Sequence, residues 1–201
     1  MRESDIPAPI SFYGETKLEG EQAVRETLGR KVPWTILRPG AVYGPREKDI
    51  LQYFQMARRG LAVLPGDGRQ NVSYVHVDDL VDACLRAASS SRSVGKTYFV
   101  AESAATWLGL LELIGEAVGR HPVSLKIPLP LVKLSAAVSE AVGRLRGKAA
   151  ILNLDKVKEA APPAWVCDTT LIRRELLWRP RWALKAGLRQ AADSYRKAGW
   201  I

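Results

Sequence analysis

Short apolar segments that alternate with helical segments constrain the fold of this chain most strongly. Residues 32–38, 72–77 and 97–100 are rich in β-branched and aromatic residues, and amphipathic stretches separate them. Parallel strands are buried on both faces and joined by helical crossovers, so they occur as nearly continuous apolar runs. The sequence therefore predicts an α/β fold built on a parallel sheet. The main helices are expected over residues 11–28, 49–59, 79–88, 107–118, 131–145, 169–177 and 184–198.

The first of these strands leads into the segment Pro39-Gly40-Ala41-Val42-Tyr43-Gly44-Pro45-Arg46. Two glycines and two prolines among these residues predict a tight, rigid loop at the carboxyl end of a strand. Open α/β sheets bind their ligands at that edge. The segment is therefore a candidate binding loop, and an ordinary strand-to-helix turn is the alternative.

Tyr13 and Lys17 lie four residues apart near the amino end of the first predicted helix. Positions i and i+4 share one face of a helix. A nearby ammonium favours the phenolate form of a tyrosine, so this spacing is a candidate for proton transfer. A surface tyrosine beside a helix lysine is the alternative interpretation.

Two other segments are open to more than one interpretation. The turn Gly66-Asp67-Gly68-Arg69 separates the short strand 61–65 from the strand 72–77, which favours a hairpin-like piece outside the parallel sheet. The apolar helix over residues 131–145 could be core, could line a lipophilic pocket or could lie on a membrane surface. We predict that it is core.

The strand 72–77 ends in polar residues that need no catalytic explanation. His76 is interpreted as a packed, hydrogen-bonded side chain, and Asp78 as the cap of helix 79–88. Asp78 and Asp79 could ligate a metal, but capping explains them without one.

The composition excludes several classes of protein. The longest apolar stretch, residues 127–142, contains Lys133 and Glu140, so no segment has the length of a membrane span. Cys84 and Cys167 lack the spacing of a metal site or a disulfide framework, and we predict a reduced, cytoplasmic protein without a metal. The net charge of +9 arises from basic residues scattered along the chain without interleaved aromatic residues, so no nucleic-acid partner is predicted.

Three motifs occur in order along the chain: Tyr13-x-x-x-Lys17, residues 37–45, and Tyr74-Val75-His76-Val77-Asp78-Asp79-Leu80. With residues 168–170 and 175–180 they resemble the extended short-chain dehydrogenase/reductase family, of the NAD-dependent epimerase/dehydratase type. The resemblance implies a partial Rossmann-like parallel sheet, whose amino-terminal strands are absent, and a smaller mixed α/β lobe that binds substrate. The Rossmann part is expected at about residues 10–43 and 72–101, and the substrate lobe at about 44–71 and 102–201.

The resemblance also implies roles for particular residues. Tyr13 is expected to act as general acid/base on a substrate hydroxyl or carbonyl. Lys17 is expected to stabilise the ionised form of Tyr13 and to hydrogen-bond the nicotinamide ribose of NAD or NADP, and both residues count as cofactor contacts. Hydride is expected to pass between the nicotinamide and a substrate carbon. The expected contacts with the nicotinamide are Pro39, Gly40, Ala41 and Val42.

Two features of the family have no counterpart in this sequence. No G-x-x-G-x-x-G phosphate loop occurs, and the serine or threonine that the family carries well before its tyrosine is missing, since Ser4 and Ser11 are too close to Tyr13. We therefore interpret the chain as the C-terminal half of such a protein, as a fragment or a product of a late start codon. The expectation is weak binding of NAD(P) by the chain alone.

The substrate class is narrowed by two apolar positions. Ala41 and Val72 stand where sugar-nucleotide members commonly carry an asparagine and an arginine, so the chain looks more like the 3β-hydroxysteroid dehydrogenase/dihydroflavonol reductase branch. We predict an oxidoreductase acting on a hydroxyl or ketone of a small, rather apolar molecule. The candidate substrate contacts are Tyr43, Arg46, Arg69 and His76.

Two alternatives remain open. A nucleotide-sugar epimerase or dehydratase would use Arg46 or Arg69 to meet a phosphate. A non-catalytic remnant that acts as a binding module is the second alternative. A homodimer formed through the helix of Tyr13 and Lys17 is expected from the family.

Overall fold

The structure, a computed structural model, describes residues 1–29, 31–145, 147 and 153–201. Residues 146 and 148–152 of the predicted substrate lobe lie outside the described residues. The helices are α1 (Phe12–Thr27), α2 (Leu51–Arg58), α3 (Val77–Ala88), α4 (Trp107–Val118), α5 (Leu129–Leu145), α6 (Leu154–Glu159), α7 (Thr170–Glu175) and α8 (Leu184–Lys197). The strands are β1 (Thr35–Pro39), β2 (Ala41–Tyr43), β3 (Leu61–Pro65), β4 (Asn71–His76), β5 (Lys96–Val100), β6 (Ser103–Thr106), β7 (Val123–Ile127) and β8 (Ala164–Trp165).

The strands of the described residues pair in three groups. β1 pairs in parallel with β5 along its whole length, from Thr35 opposite Lys96 to Pro39 opposite Val100. β4 is the centre of a second sheet, in which β2 and β8 pair with it in parallel and β6 pairs antiparallel. β3 and β7 form a third, parallel pair. The prediction of an α/β fold with parallel strands is confirmed.

The extended run that contains β1 and β2 changes partner at Gly40. Before Gly40 the chain pairs with β5, and after Gly40 it pairs with β4. A Cβ atom at Gly40 would lie 2.5 Å from the carbonyl oxygen of Ser73 in β4, so only glycine allows this approach of two backbones. The predicted loop 39–46 is therefore in part a strand, because glycine lets the chain cross between sheets without turning.

The hairpin predicted from residues 61–65 and 72–77 is wrong. β3 pairs with β7, and the N–H of Gly66 extends that pairing by donating to the carbonyl of Ile127 at 2.8 Å. The chain then passes beneath α4, where the N–H of Leu108 donates to the carbonyl of Gly68 at 3.0 Å. Turn residues indicate a change of direction but do not determine which strands pair.

Two clusters of buried side chains form the core. The first lies between β2, β3 and β4 on one side and α2, α4 and α8 on the other. The second lies between β4, β5, α3 and α7. Members of the first include Tyr43, Phe54, Leu64, Tyr74, Leu110, Ile114, Leu188 and Tyr195. Members of the second include Val75, Ala83, Tyr98, Val100, Ile172 and Trp178.

The amino end of α3 differs from the prediction. His76 is the N-cap, and its Nδ1 accepts a hydrogen bond from the N–H of Asp78 at 3.2 Å. Asp78, the predicted cap, lies in the first turn instead, where a carboxylate interacts favourably with the helix dipole. The buried carboxylate of Asp79 accepts from the N–H groups of Arg181 and Trp182 at 2.9 and 3.1 Å. Asp79 therefore ties the chain before α8 to α3.

The prediction that residues 131–145 belong to the core is wrong, although the helix itself is present. Of the residues of α5, Ala136 is buried, whereas Leu131, Leu134 and Leu145 are more than half exposed. The helix packs against α6 with its other face. The apolar composition predicted burial, but no element in the described part of the chain packs on the exposed face of α5. No helix among the described residues is long and apolar enough to cross a membrane.

Candidate functional site

Two arginines hold α1 against β1 and β5. Arg38, in β1, donates from Nε and Nη2 to the two carboxylate oxygens of Glu21, each at 2.7 Å. These hydrogen bonds raise the pKa of Arg38 above its ordinary value, since they favour the charged guanidinium. One turn further along α1, Arg25 donates to the hydroxyl of Thr97 in β5 at 3.0 Å. Arg38 lies near the carboxyl end of its strand and Thr97 near the amino end of its own, so α1 runs antiparallel to both strands.

Tyr13 and Lys17 are named the proton-transfer pair after the role that the sequence predicts for them. They precede Glu21 on the same stripe of α1. At about 1.5 Å per residue, they lie about 12 and 6 Å before Glu21 along the helix axis. Because Glu21 is beside the carboxyl end of β1, the pair lies beyond that end. This is the edge at which open α/β sheets bind ligands.

The two side chains of the proton-transfer pair are close to each other. The Nζ of Lys17 lies 5.3 Å from the centroid of the Tyr13 ring. The Tyr13 side chain is 64% exposed, and Lys17 is exposed as well. No ion pair of Lys17 occurs within the described ranges. The pair is therefore open to a ligand.

The amino end of α1 is anchored by α6. The hydroxyl of Ser11 donates to the carboxylate of Glu159 at 2.7 Å. The N–H groups of Phe12 and Tyr13 donate to the carboxylate of Asp155 at 3.1 and 3.3 Å. A carboxylate at a helix amino terminus meets unpaired N–H groups and the positive end of the dipole. Sequence reasoning missed α6, and its role is to fix the position of the proton-transfer pair.

The predicted nicotinamide contacts leave β1 at the same edge. Pro39 and Ala41 are exposed, and Gly40 and Val42 are partly buried. The N–H of Gly40 donates to the carbonyl of Val100 at 2.9 Å, which holds the segment onto the end of β5. The segment and the proton-transfer pair thus occupy one end of the β1–β5 pair.

Tyr43 and His76, predicted as substrate contacts, lie inside the protein. Both side chains have no exposed surface, and their rings meet edge to face with centroids 5.3 Å apart. His76 also stacks on Trp182 at 4.7 Å. Burial lowers the pKa of His76, since desolvation disfavours the imidazolium. Contact with substrate remains a prediction for these two residues, while the packing assigns them a structural role.

Glu102 is a further candidate that sequence reasoning missed. It lies in the short connection between β5 and β6, and its carboxylate accepts a hydrogen bond from the hydroxyl of Tyr43 at 2.8 Å. Burial raises the pKa of Glu102 to about 7. Burial and the neighbouring carboxylate also raise the pKa of Tyr43 above its ordinary value. An acidic residue two positions after a buried strand was the available sequence signal.

The stability of the protein should depend on pH through Glu102. Its pKa rises from 4.5 to about 7 in the folded state, so the folded protein holds this proton more tightly than the unfolded chain. Stability therefore falls as pH rises from about 4.5 to 7. Relative to Glu102→Gln, we expect the wild-type free energy of unfolding to fall by about 1–2 kcal/mol over that window, allowing for partial solvent screening. Urea unfolding of both proteins at several pH values measures this difference, and identical pH profiles would contradict it. The comparison cancels His76, whose lowered pKa acts in the opposite direction in both proteins.

The predicted substrate arginines are on the surface. Arg69 is exposed and lies 3.7 Å from the carboxylate of Asp67. Arg46 is exposed in the loop after β2 and has a φ of 71°. Within the described part of the chain, neither forms an ion pair that would hold it at the proton-transfer pair. Their contact with substrate remains a prediction.

The chain resembles known proteins along most of its length. It is 28% identical to the ceramide reductase of Caulobacter vibrioides over 96% of this chain and 59% of that protein. It is also 28% identical to the dTDP-L-rhamnose 4-epimerase of Burkholderia thailandensis, over 90% of this chain and 45% of that protein. The chain thus spans about 60% or less of the length of these curated relatives.

The fold is shared with a solved enzyme structure. The UDP-glucuronic acid 4-epimerase of Bacillus cereus, in complex with UDP-glucuronic acid and NAD, superposes with a TM-score of 0.74 and 21% identity. The superposition covers 98% of this chain and 56% of that chain. A model of the NAD dependent epimerase/dehydratase family matches residues 1–101, which contain the proton-transfer pair and the segment after β1. The chain belongs to the NAD dependent epimerase/dehydratase family.

Proposed function

We propose that this chain supplies the proton-transfer and substrate-binding part of an NAD(P)-dependent oxidoreductase that acts on a hydroxyl or ketone of a small, rather apolar molecule. The observation that carries the proposal is the position of the proton-transfer pair. The Glu21–Arg38 contact places Tyr13 and Lys17 beyond the carboxyl end of β1, beside the segment that crosses to β4.

Each residue of the site has a task in this proposal. The Tyr13 hydroxyl donates a proton to the substrate oxygen during reduction and accepts it during oxidation. The Lys17 ammonium stabilises negative charge that develops on that oxygen. When bound, the nicotinamide supplies or accepts the hydride.

The chain fits one end of the cofactor better than the other. Lys17 is exposed and can donate to a ribose hydroxyl, and Pro39 and Ala41 offer an exposed apolar edge for a nicotinamide ring. The pyrophosphate end is different, because no glycine-rich phosphate loop occurs in the sequence. The residues that would hold the nicotinamide riboside end are Tyr13, Lys17, Pro39, Gly40, Ala41 and Val42.

An apolar substrate is favoured by two side chains and one relative. Ala41 offers no hydrogen-bond group to a sugar, and Val72 packs against the first core cluster. The relative that is similar over 96% of this chain is a ceramide reductase, whose named substrate is a lipid. We therefore infer a ketone or hydroxyl carried on a largely apolar molecule.

A nucleotide-sugar epimerase or dehydratase is the second candidate function. The similarity to a dTDP-L-rhamnose 4-epimerase favours it, and the exposed Arg46 and Arg69 offer charges for a diphosphate. A non-catalytic binding module is the third candidate.

A substrate panel separates these candidates. Residues 1–201 are joined to the part of the Caulobacter vibrioides ceramide reductase that this chain does not span, and the hybrid is assayed with both cofactors. If the proposal is correct, the hybrid turns over long-chain and cyclic ketones and does not turn over UDP- or dTDP-hexoses. The opposite pattern supports the epimerase. A folded hybrid that turns over neither class supports the binding module.

The 201-residue chain alone should bind NAD and NADP weakly. Backbone N–H groups of a glycine-rich loop contribute much of the affinity for the pyrophosphate, and this sequence lacks them. We expect dissociation constants in the millimolar range or above, measured by isothermal titration calorimetry at several cofactor concentrations. Micromolar affinity of the purified chain for either cofactor would refute the expectation.

A further inference from the structure

The outer face of α5 carries a continuous apolar stripe. Its members follow one another at intervals of three or four residues, which places them on one side of a helix. Their side chains are between 39% and 88% exposed. The large members of this α5 stripe are Leu131, Leu134, Val138, Val142 and Leu145.

None of the described residues packs over the α5 stripe. The opposite face of the helix carries the buried Ala136 and contacts α6. Glu140 on that side accepts a hydrogen bond from the N–H of Leu154 at 2.8 Å. The helix is therefore fixed on one side and uncovered on the other. Contiguous exposed apolar patches of this kind mark interaction surfaces.

The sequence around the α5 stripe is strongly basic. Between residues 120 and 148 the sequence contains six basic residues and one acidic residue, Glu140. Lys126 and Lys133 lie near the amino end of α5 and are exposed, as is Arg144 near its carboxyl end. This charge balance complements an anionic surface. The basic residues are Arg120, Lys126, Lys133, Arg144, Arg146 and Lys148.

A second copy of the chain is a poorer partner for this face. The stripe spans about two heptads, whereas helix pairing through a heptad seam needs about three to four. A stable protein interface buries about 800 Å² on each partner, and five side chains along one short helix supply less. Two copies of this segment would also bring their basic residues together.

We propose that α5 is a membrane-surface helix that docks onto anionic phospholipid bilayers. The α5 stripe lies among the headgroups and upper acyl chains, with the helix in the plane of the interface. Exposed lysine and arginine side chains around it contact lipid phosphates, as basic clusters on interfacial helices do. The docking is peripheral, which agrees with the lack of a membrane-spanning helix in the described part of the chain.

Docking at α5 would orient the proton-transfer pair relative to the bilayer. α5 packs on α6, and Asp155 of α6 accepts hydrogen bonds from the first N–H groups of α1. The path from the α5 stripe to Tyr13 therefore runs through two packed helices. The docking itself does not depend on the proposed activity, since it needs neither cofactor nor turnover.

Vesicle sedimentation of the purified full chain tests the proposal. The probes are vesicles of phosphatidylcholine alone and vesicles in which one third of the lipid is phosphatidylglycerol. We expect binding to the anionic vesicles, weakened by added salt, and little binding to phosphatidylcholine alone. The double variant Leu134→Asp/Val138→Asp should lower the partition coefficient on anionic vesicles by about tenfold or more.

A matched control separates the stripe from apolar exposure in general. Val81 and Leu85 form an exposed apolar pair on α3 with the same spacing of four residues, so Val81→Asp/Leu85→Asp adds equal charge elsewhere. The control should bind vesicles like the wild type, and circular dichroism should show that both variants are folded. No vesicle binding by the wild type would overturn the proposal, as would equal losses in both variants. The wild type could instead be a dimer that does not bind vesicles and that only Leu134→Asp/Val138→Asp dissociates. That result would overturn the proposal and identify a second copy of the chain as the partner.

Discussion

Tyr13→Phe should abolish most of the activity of the catalytically complete hybrid while leaving the fold unchanged. The substitution removes one hydroxyl from a side chain that is 64% exposed and makes no side-chain hydrogen bond within the described ranges. Positioned proton transfer contributes about 10²–10⁴-fold to rate, so we expect kcat to fall at least 100-fold with little change in KM. Initial rates with the ketone that the hybrid turns over measure the effect.

Tyr74→Phe is the matched control for this experiment. Tyr74 is buried in β4, and its hydroxyl has no hydrogen-bond partner among the described residues. Loss of that hydroxyl should leave kcat within about twofold of wild type and should not lower stability, since no hydrogen bond is broken. A Tyr13→Phe variant that keeps more than a tenth of the wild-type rate would exclude Tyr13 as the general acid/base.

Gly40→Ala should strongly destabilise the protein. The new Cβ would lie 2.5 Å from the carbonyl oxygen of Ser73 and 2.9 Å from its carbonyl carbon. Both atoms are backbone atoms of the central strand β4, so neither can move as a side-chain tip can. Overpacking costs typically 1–3 kcal/mol, and we expect about 3 kcal/mol or a failure to fold, measured by urea unfolding.

Gly20→Ala adds the same methyl group where nothing opposes it. Gly20 lies within α1, and a Cβ atom there would have no neighbour within 4 Å. Alanine is favoured over glycine in helix interiors, so this variant should gain about 0.5–1 kcal/mol. Equal stability of the two variants would show that β1 and β4 do not approach each other as closely at Gly40 as described.

The sequence predicted the elements whose patterns are local. The helix of Tyr13 and Lys17, the strand before Pro39 and the last helix appear within a few residues of their predicted bounds. Such elements have a strong period or a clear breaker. Helix α4 likewise ends where the sequence predicted, at Gly119, which has the left-handed conformation. The i,i+4 spacing likewise predicted that Tyr13 and Lys17 would be close together.

The features that the sequence did not predict depend on contacts between residues that are distant in the chain. The sequence predicted a loop where β2 lies, because its glycines and prolines are typical of a turn. Gly40 instead allows the extended chain to pass from pairing with β5 to pairing with β4. β3 found its partner in β7, some sixty residues later in the chain, which no turn residue could indicate. The short α6 has no period to detect, yet its Asp155 and Glu159 hold the amino end of α1. Glu102 was missed because burial, and not residue type, gives it its unusual pKa.

α1 carries the proton-transfer pair but has no buried residue of its own. It is attached through polar contacts, to α6 at its amino end and to Arg38 and Thr97 along its second half. Detaching α1 would expose little apolar surface, so within this chain α1 can open as a separate unit. Because the denaturant dependence of an opening scales with the surface that it exposes, the free energy of this opening should depend little on denaturant concentration. The buried helices α4 and α8 can exchange their amide protons only when the whole core opens. Loss of the proton-transfer geometry would therefore precede loss of the fold.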